Sequence, residues 1–389
     1  MTGGTIICPA IEKVIYGQVA AQAIASEADR LKAKRVFILA SESLSVNTDE
    51  IDKIIKELGT RFAGLFQGMP PNAPRTAVLQ AAAQAGAANT DLLVTVGGGS
   101  VTDAGKVMLI CMKFGLKRHD DLEAYRIRVG EDGTVIKPDY DAPDVRMVAV
   151  PTTLSGGEFN SLGGVTDETR KIKQGYVHRM LAPITVILDP ALTMHTPDWL
   201  WYSTGIRSLD HAMETLGSFQ SNDFADGMAE SAIRLLVDGL GRVRKDVSDL
   251  EGRLRCQIGV WQSMLPLVGG VPMGASHAIG HTLGGTADVP HGYTSCVMAP
   301  YVLQWNQAVN ADRQKMISRA FGAPEKPAHV LADEFIRKLG MPRSLRDVGI
   351  EEKQLELIAD YAMEDFWTRT NPRPISRSED IYEILRMAL

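Results

Sequence analysis

An α/β domain with a mainly parallel sheet, followed by an all-helical domain, is the fold class this sequence predicts. Three observations carry it. Continuous apolar runs, Val36-Phe37-Ile38-Leu39-Ala40, Leu92-Leu93-Val94-Thr95-Val96 and Met147-Val148-Ala149-Val150, alternate with amphipathic, alanine-rich stretches. That is the pattern of strands covered by helices on both faces. A last run, Thr185-Val186-Ile187-Leu188, ends in Asp189-Pro190, and beyond it strand-like segments give way to helical ones with Gly or Pro breaks such as 267–272. Finally, a triple glycine follows the run ending at Val96 directly and opens an apolar helix. The domain border is placed near residue 190, giving an α/β domain over 1–190 and a helical one over 191–389.

Length and composition agree. A chain of 389 residues suffices for two domains with their own cores. Its 45% apolar and 23% charged content is that of a globular protein, and no stretch approaches the ~20 apolar residues of a membrane span. The N-terminus, MTGGTIICPAIEKVIYG, has neither a basic start nor a sustained apolar core, so a cytoplasmic protein is expected. Four scattered cysteines, Cys8, Cys111, Cys256 and Cys296, argue for free, mostly buried thiols rather than a disulfide framework or a thiolate metal cluster. A net charge of −6 with dispersed basic residues leaves no field to attract nucleic acid. The polar segment from about 129 to 145 reads as a surface loop or small hairpin.

The turn Gly97-Gly98-Gly99-Ser100-Val101-Thr102-Asp103-Ala104-Gly105-Lys106 has the physics of a phosphate site. Glycines let the backbone turn tightly and approach a ligand, and a new helix offers unpaired N–H groups and a positive dipole end. The spacing is not the GxGxxG of the ordinary dinucleotide fingerprint, and a glycine loop alone is a weak signal. Asp103 and Lys106 have plainer readings, an N-terminal helix charge and a solvated lysine.

GGGSxxDxxK after a strand resembles the dinucleotide-binding signature of iron-containing alcohol dehydrogenases. Further segments keep the family's order from about residue 36 to 300: Pro71-Asn72, Pro151-Thr152-Thr153-Leu154-Ser155-Gly156-Gly157-Glu158, Thr166-Asp167 with Lys173, and Asp189-Pro190-Ala191-Leu192-Thr193 with Pro197. The resemblance implies a dehydroquinate-synthase-like fold, a dinucleotide-binding domain over 1–190, a helical catalytic domain over 191–389, a site in the cleft between them, and a homodimer. It also implies that Asn72, Gly97, Gly98, Gly99, Ser100, Asp103, Thr152, Thr153 and Lys173 bind NAD or NADP. Ser41 stands where many relatives carry the Asp that meets the adenosine ribose, and serine tolerates either cofactor; Glu42 either takes over that carboxylate role or is simply exposed.

The helical half carries four of the chain's eight histidines in two segments: His211, then His277, His281 and His291. His277 and His281, four apart, share one helix face. By themselves such pairs are more often surface or core residues than ligands. The family arrangement HxxxHxxxxxxxxxH implies that His277 and His291, with His211, hold a divalent metal, iron or zinc, and that His281 lies beside nicotinamide and substrate. The family's fourth ligand, an Asp four residues before His211, is Arg207 here. A guanidinium is always charged and cannot coordinate. Three neutral histidines can still form a zinc-type site, provided that Arg207 points away. Glu214 shares a face with His211 as a substitute carboxylate.

The maleylacetate reductase branch also lacks that Asp and resembles Leu283-Gly284-Gly285-Thr286-Ala287-Asp288-Val289-Pro290-His291, although its usual replacement is Asn and its glycine turn usually lacks Asp103. Without metal, Arg207 could grip a substrate carboxylate or polarise a carbonyl; a salt bridge to Asp210 or Glu214 is the plainer reading. The implied activity is NAD(P)-dependent hydride transfer between nicotinamide and a small carbonyl or alcohol substrate, with a carboxylate-bearing oxo acid as one class, His281 relaying the proton and Arg207 or a metal assisting. The alternatives are an iron- or zinc-dependent alcohol dehydrogenase of small primary alcohols and aldehydes, a dehydroquinate-synthase-like enzyme, and an NAD-binding pseudoenzyme. The tail Asn371-Pro372-Arg373-Pro374 resembles the family's closing segment, or is a solvated end.

Overall fold

The computed structural model describes residues 4–130 and 134–389. Two compact units emerge: Pro9–Thr196, and Pro197–Leu389 together with the N-terminal residues up to Cys8. The observed division thus falls just past the expected border at residue 190, because a short 3-10 turn (Leu192–His195) still belongs to the first unit.

In chain order the first unit holds β1 (Lys13–Tyr16), α1 (Ala20–Arg30), β2 (Val36–Ala40), α2 (Glu42–Asn47), α3 (Glu50–Leu58), β3 (Phe62–Gln67), α4 (Arg75–Ala87), β4 (Leu92–Gly97), α5 (Gly99–Phe114), β5 (Arg128–Val129), β6 (Val135–Ile136), β7 (Arg146–Pro151), β8 (Leu162–Asp167), β9 (Ile172–Val177) and β10 (Thr185–Leu188). The six-stranded sheet has the order β1-β10-β7-β4-β2-β3 and all its pairings are parallel. Its central strands are buried along their whole length, as their continuous apolar runs require. Alternate residues serve opposite faces: Ile38 and Val94 pack with Ile24, Ile51 and Ile54 of α1 and α3, whereas Phe37, Leu39 and Leu93 pack with Val78, Val107 and Met108 of α4 and α5.

The apolar runs in the sequence mark the four inner strands. The two edge strands, β1 (KVIY) and β3 (FAGLFQ), lie outside the runs singled out in the sequence, and β3 is only half-buried along its length. The antiparallel β8–β9 hairpin, too, is an addition to the sequence reading. The segment read as a loop or small hairpin forms the β5–β6 hairpin, with residues 131–133 of that segment outside the described residues.

The second unit has helices and, among its described residues, no strand: α6 (Asp198–Gly217), α7 (Asp223–Lys245), α8 (Leu250–Val268), α9 (Ala275–Thr286), α10 (His291–Ala320), α11 (Ala328–Lys338), α12 (Leu355–Ala362) and α13 (Ser378–Ala388). Helix α6 runs through the middle and is buried on nearly all sides from Trp201 onward, yet carries Arg207, Asp210 and His211. Buried polar groups at that density need partners or a function. Helix α10 starts against it: a Cβ at Gly292 would lie 2.4 Å from Ser203 Oγ, so this crossing admits only glycine. That contact presents Thr294 and Ser295 to Arg207. All four cysteines are free, with Cys8 exposed and the others buried. Among the described residues no helix is long and apolar enough to cross a membrane.

Candidate active site

Strand order reverses between β2 and β4, since successive strands lead from β2 outward to β3 and from β4 the other way to β7. Ligands of open parallel sheets bind at the carboxyl ends of strands flanking such a reversal. Ser41 follows β2 there and donates its N–H to Val96 O at 3.0 Å. Gly97 and Gly98 follow β4. A Cβ on Gly97, whose φ is +157°, would meet Val101 Cγ2 at 2.8 Å and Ser41 Cβ at 3.3 Å. Glycine is therefore required where the chain leaves the sheet.

The neighbouring residues assemble by contact. Thr152 N–H donates to Gly97 O at 3.0 Å. Thr153 lies against Gly98, whose Cβ would be 3.0 Å from its methyl. Asn72, in the left-handed region at φ +61°, donates its N–H to Ser100 Oγ at 3.0 Å. Thr166 Oγ1 donates to Asn72 O at 2.9 Å, tying this turn to β8. Across the β8–β9 hairpin Thr166 pairs with Lys173, whose Nζ is 3.7 Å from Asp103 Oδ2. The structure thus brings Ser41, Asn72, the glycine turn, Asp103, Thr152, Thr153 and Lys173 to one end of the sheet. Glu42 is exposed in the first turn of α2.

Helix α5 begins at Gly99 without a side-chain cap, leaving first-turn N–H groups for a ligand. A glycine cradle, an uncapped helix start and a strand reversal coincide, and these residues fit a dinucleotide pyrophosphate. Lys106 is not the solvated lysine of the plainer reading. It is fully buried and donates to Gly157 O (2.6 Å), Asn160 Oδ1 (3.0 Å) and Leu162 O (2.8 Å), pinning the segment that follows Thr152 and Thr153 to α5. Burial pushes its ammonium down to about 8 and pushes the neighbouring Glu158 carboxyl up to about 7.

In the helical unit the histidines form two pairs. His211 of α6 and His277 of α9 stack with ring centroids 4.6 Å apart. His281 of α9 and His291 at the start of α10 lie nearly parallel at 6.3 Å. Trp367 joins the pairs, edge-on to His277 at 5.7 Å and tilted over His281 at 4.9 Å. His277 Nδ1 is 2.7 Å from Glu214 Oε2, and Glu214 also accepts the N–H groups of Gly274 (3.0 Å) and Ser276 (2.9 Å). Asp210 Oδ2 accepts the Ser276 hydroxyl at 2.6 Å. Burial holds both carboxyls above their ordinary range and both imidazoles, His211 and His277, well below theirs, so the rings are neutral.

Sequence reasoning missed Asp365 and Trp367. Asp365 Oδ2 lies 2.8 Å from His281 Nδ1, across 84 residues of chain, a separation at which no local spacing signal exists. The tail is not a solvated end: Asn371 is buried and exchanges amide hydrogen bonds with Asn306 at 2.8 and 3.0 Å.

The fit of a divalent metal can be tested on these contacts. His211 Nδ1 and His277 Nε2 are buried without a hydrogen-bond partner, which a ligand would supply. Arg207 decides its sign. The guanidinium is buried, and its partners are hydroxyls, Thr294 Oγ1 at 3.3 Å and Ser295 Oγ at 3.2 Å, rather than the carboxylate of a salt bridge. Its charge is close enough to disfavour a second positive charge on either imidazole, and a divalent ion would meet the same repulsion. Asp210, Glu214 and His277 do bring ligand atoms within 4.8 Å of one another, but those atoms are committed to Ser276, to the amino end of α9 and to each other. With a guanidinium beside them, the two unpartnered imidazole nitrogens are a poor donor set for a divalent metal.

Comparison with known proteins agrees with both halves. The profile of the iron-containing alcohol dehydrogenase family matches residues 11–190, and that of the C-terminal region of Fe-containing alcohol dehydrogenases matches 202–389. The chain is 33% identical to a dehydrogenase, ALT3, of Alternaria alternata, over 91% of this chain and 98% of that one. It is 29% identical to a maleylacetate reductase of Burkholderia cepacia, over 94% and 93%. The crystal structure of maleylacetate reductase from Agrobacterium tumefaciens superposes with a TM-score of 0.83, covering 100% of this chain and 99% of that one; at 24% identity it shows the shared fold.

Proposed function

This chain belongs to the iron-containing alcohol dehydrogenase superfamily, on its maleylacetate-reductase-like side, and is an NAD(P)-dependent oxidoreductase; from that premise we propose that it reduces the carbonyl of a small oxo acid without a metal. The observation that carries the proposal is Arg207: a buried guanidinium that meets the hydroxyls of Thr294 and Ser295 and whose Nε–H is buried without a partner is a donor site for an oxyanion or carboxylate.

The nicotinamide supplies or takes the hydride. Gly97, Gly98, Gly99 and Ser100 receive the pyrophosphate at the start of α5, with Asn72, Thr152 and Thr153 closing around it. Lys173 and Asp103 stand farther along the same face, and Ser41 accepts the adenosine ribose of NAD or NADP without the repulsion that a carboxylate there would exert on a 2′-phosphate. In the helical unit, Arg207 provides a fixed positive charge for the developing alkoxide or the substrate carboxylate, and the neutral His211, whose Nδ1 is without a partner, can add a hydrogen bond, while His277 gives its Nδ1–H to Glu214. His281, with a side chain 38% exposed, hands its proton to the substrate oxygen and is reloaded from solvent. His291 lines the same helix junction. A homodimer in the cytoplasm belongs to the same reading, and light scattering tests the assembly.

The discriminating experiment measures NADH and NADPH oxidation with a panel of oxo acids, maleylacetate included, against uncharged aldehydes of similar size. Higher kcat/KM for the oxo acids, lost in Arg207→Met, is the expected result. Equal kcat/KM for both classes, unchanged in the variant, would remove Arg207 from substrate recognition.

A further inference from the structure

Asp365 has two oxygens and two tasks. Oδ1 accepts the N–H of Trp367 at 2.9 Å, capping the 3-10 turn Phe366–Thr370, while Oδ2 meets His281 Nδ1 at 2.8 Å. A carboxylate only accepts, so the ring must carry its hydrogen on Nδ1. Trp367, next along the same turn, covers one face of the ring. The carboxylate is largely shielded, with 15% of its side chain exposed against 38% for the imidazole, so the ring's covered edge is the one Asp365 holds.

The turn itself is anchored. Thr370 Oγ1 donates to Met273 O at 2.6 Å, and Asn371 Oδ1 accepts the N–H of Ala275 at 3.2 Å, so residues 370 and 371 grip the amino end of α9 while Asp365 grips His281 farther along it. An accidental surface pair would lack this double attachment.

Resting on the reading that His281 exchanges the substrate proton, we infer that Asp365 is a positioning residue which fixes the His281 ring with Nδ1–H toward the carboxylate and reserves Nε2 for the substrate oxygen. In the reducing direction the imidazolium gives its Nε2 proton to the oxygen of the carbonyl as hydride reaches the carbon. The ring is left neutral with Nδ1–H still held by Asp365, and solvent restores the Nε2 proton. The oxidising direction runs the same steps backward.

Asp365→Asn separates the two tasks of the residue. The amide oxygen still caps Trp367 N–H, but the amide nitrogen cannot accept from Nδ1–H. Nitrogen NMR of protein labelled at its histidines, with the His281 signal assigned by its loss in His281→Ala, should show Nδ1–H in the wild type and its loss in Asp365→Asn. In steady-state carbonyl reduction, Asp365→Asn should lower kcat about tenfold. The KM for reduced cofactor should hold, and the double variant should be no slower than His281→Ala alone. Wild-type kcat and an unchanged tautomer in Asp365→Asn, alongside a slow His281→Ala, would overturn the inference and leave the parent reading standing. Wild-type turnover in His281→Ala would overturn both.

Discussion

His277 and Glu214 are joined at 2.7 Å, and the same carboxylate closes the amino end of α9 through the N–H groups of Gly274 and Ser276. One side chain on α6 thus sets both where α9 begins and how its first histidine is turned. A carboxylate that accepts the ring's N–H in this way fixes the tautomer and the orientation of the imidazole. Glu214→Ala would leave three buried donors unanswered and should destabilise the protein by about 3 kcal/mol. Denaturant unfolding measures it; a loss below about 0.5 kcal/mol, the range of ordinary surface substitutions, would mean that the contacts are idle.

At the glycine turn, Gly97→Ala forces a Cβ into Val101 Cγ2 and Ser41 at a strained φ. The Kd for NADH and NADPH should rise at least about tenfold, an order expected when a backbone can no longer approach its ligand. Calorimetric titration checks this, and unchanged affinity would place the cofactor elsewhere.

Glu158 gives the protein a pH signature. Burial raises its folded value to about 7 from 4.5, so the folded state holds a proton that the unfolded state releases between those values. The stabilising contribution is complete below about 4.5 and lost as pH rises through about 7. Lys106 acts oppositely and later: its folded value falls to about 8 from 10.5, so stability recovers as pH rises through that window. Urea midpoints across pH for Glu158→Gln should fall less steeply between about 4.5 and 7 than those of the wild type, the raised Asp210 and Glu214 carboxyls supplying the remaining decline; parallel curves would contradict the assignment.

Much of this was legible in the sequence, and the exceptions share a cause. The inner strands announce themselves because both faces are covered, whereas β1 is only 4 residues long and β3, with a glycine in its middle, is half-buried at the other sheet edge. Gly97, Ser100 and Asn72 were readable as local motifs. Asp365, Trp367 and the hydroxyls of Thr294 and Ser295 were not, since their partners His281, His277 and Arg207 are remote in the chain and only packing unites them. Lys106 looked like a surface charge because nothing in its neighbours reveals that the 157–162 segment folds over it. Arg207 was conspicuous from sequence, but its hydroxyl partners, Thr294 and Ser295, lie 87 and 88 residues away and could not be read from its neighbours.

The central claim is that a guanidinium stands in place of a metal, and elemental analysis of cofactor-bound protein purified without oxygen, paired with carbonyl reduction before and after chelation, tests it most directly. Arg207 beside His211 and His277 predicts far less than one iron or zinc per chain and reduction that survives the chelator. Near one metal per chain, with activity lost on chelation and restored by the ion, would contradict it and return the protein to the metal-dependent alcohol dehydrogenases.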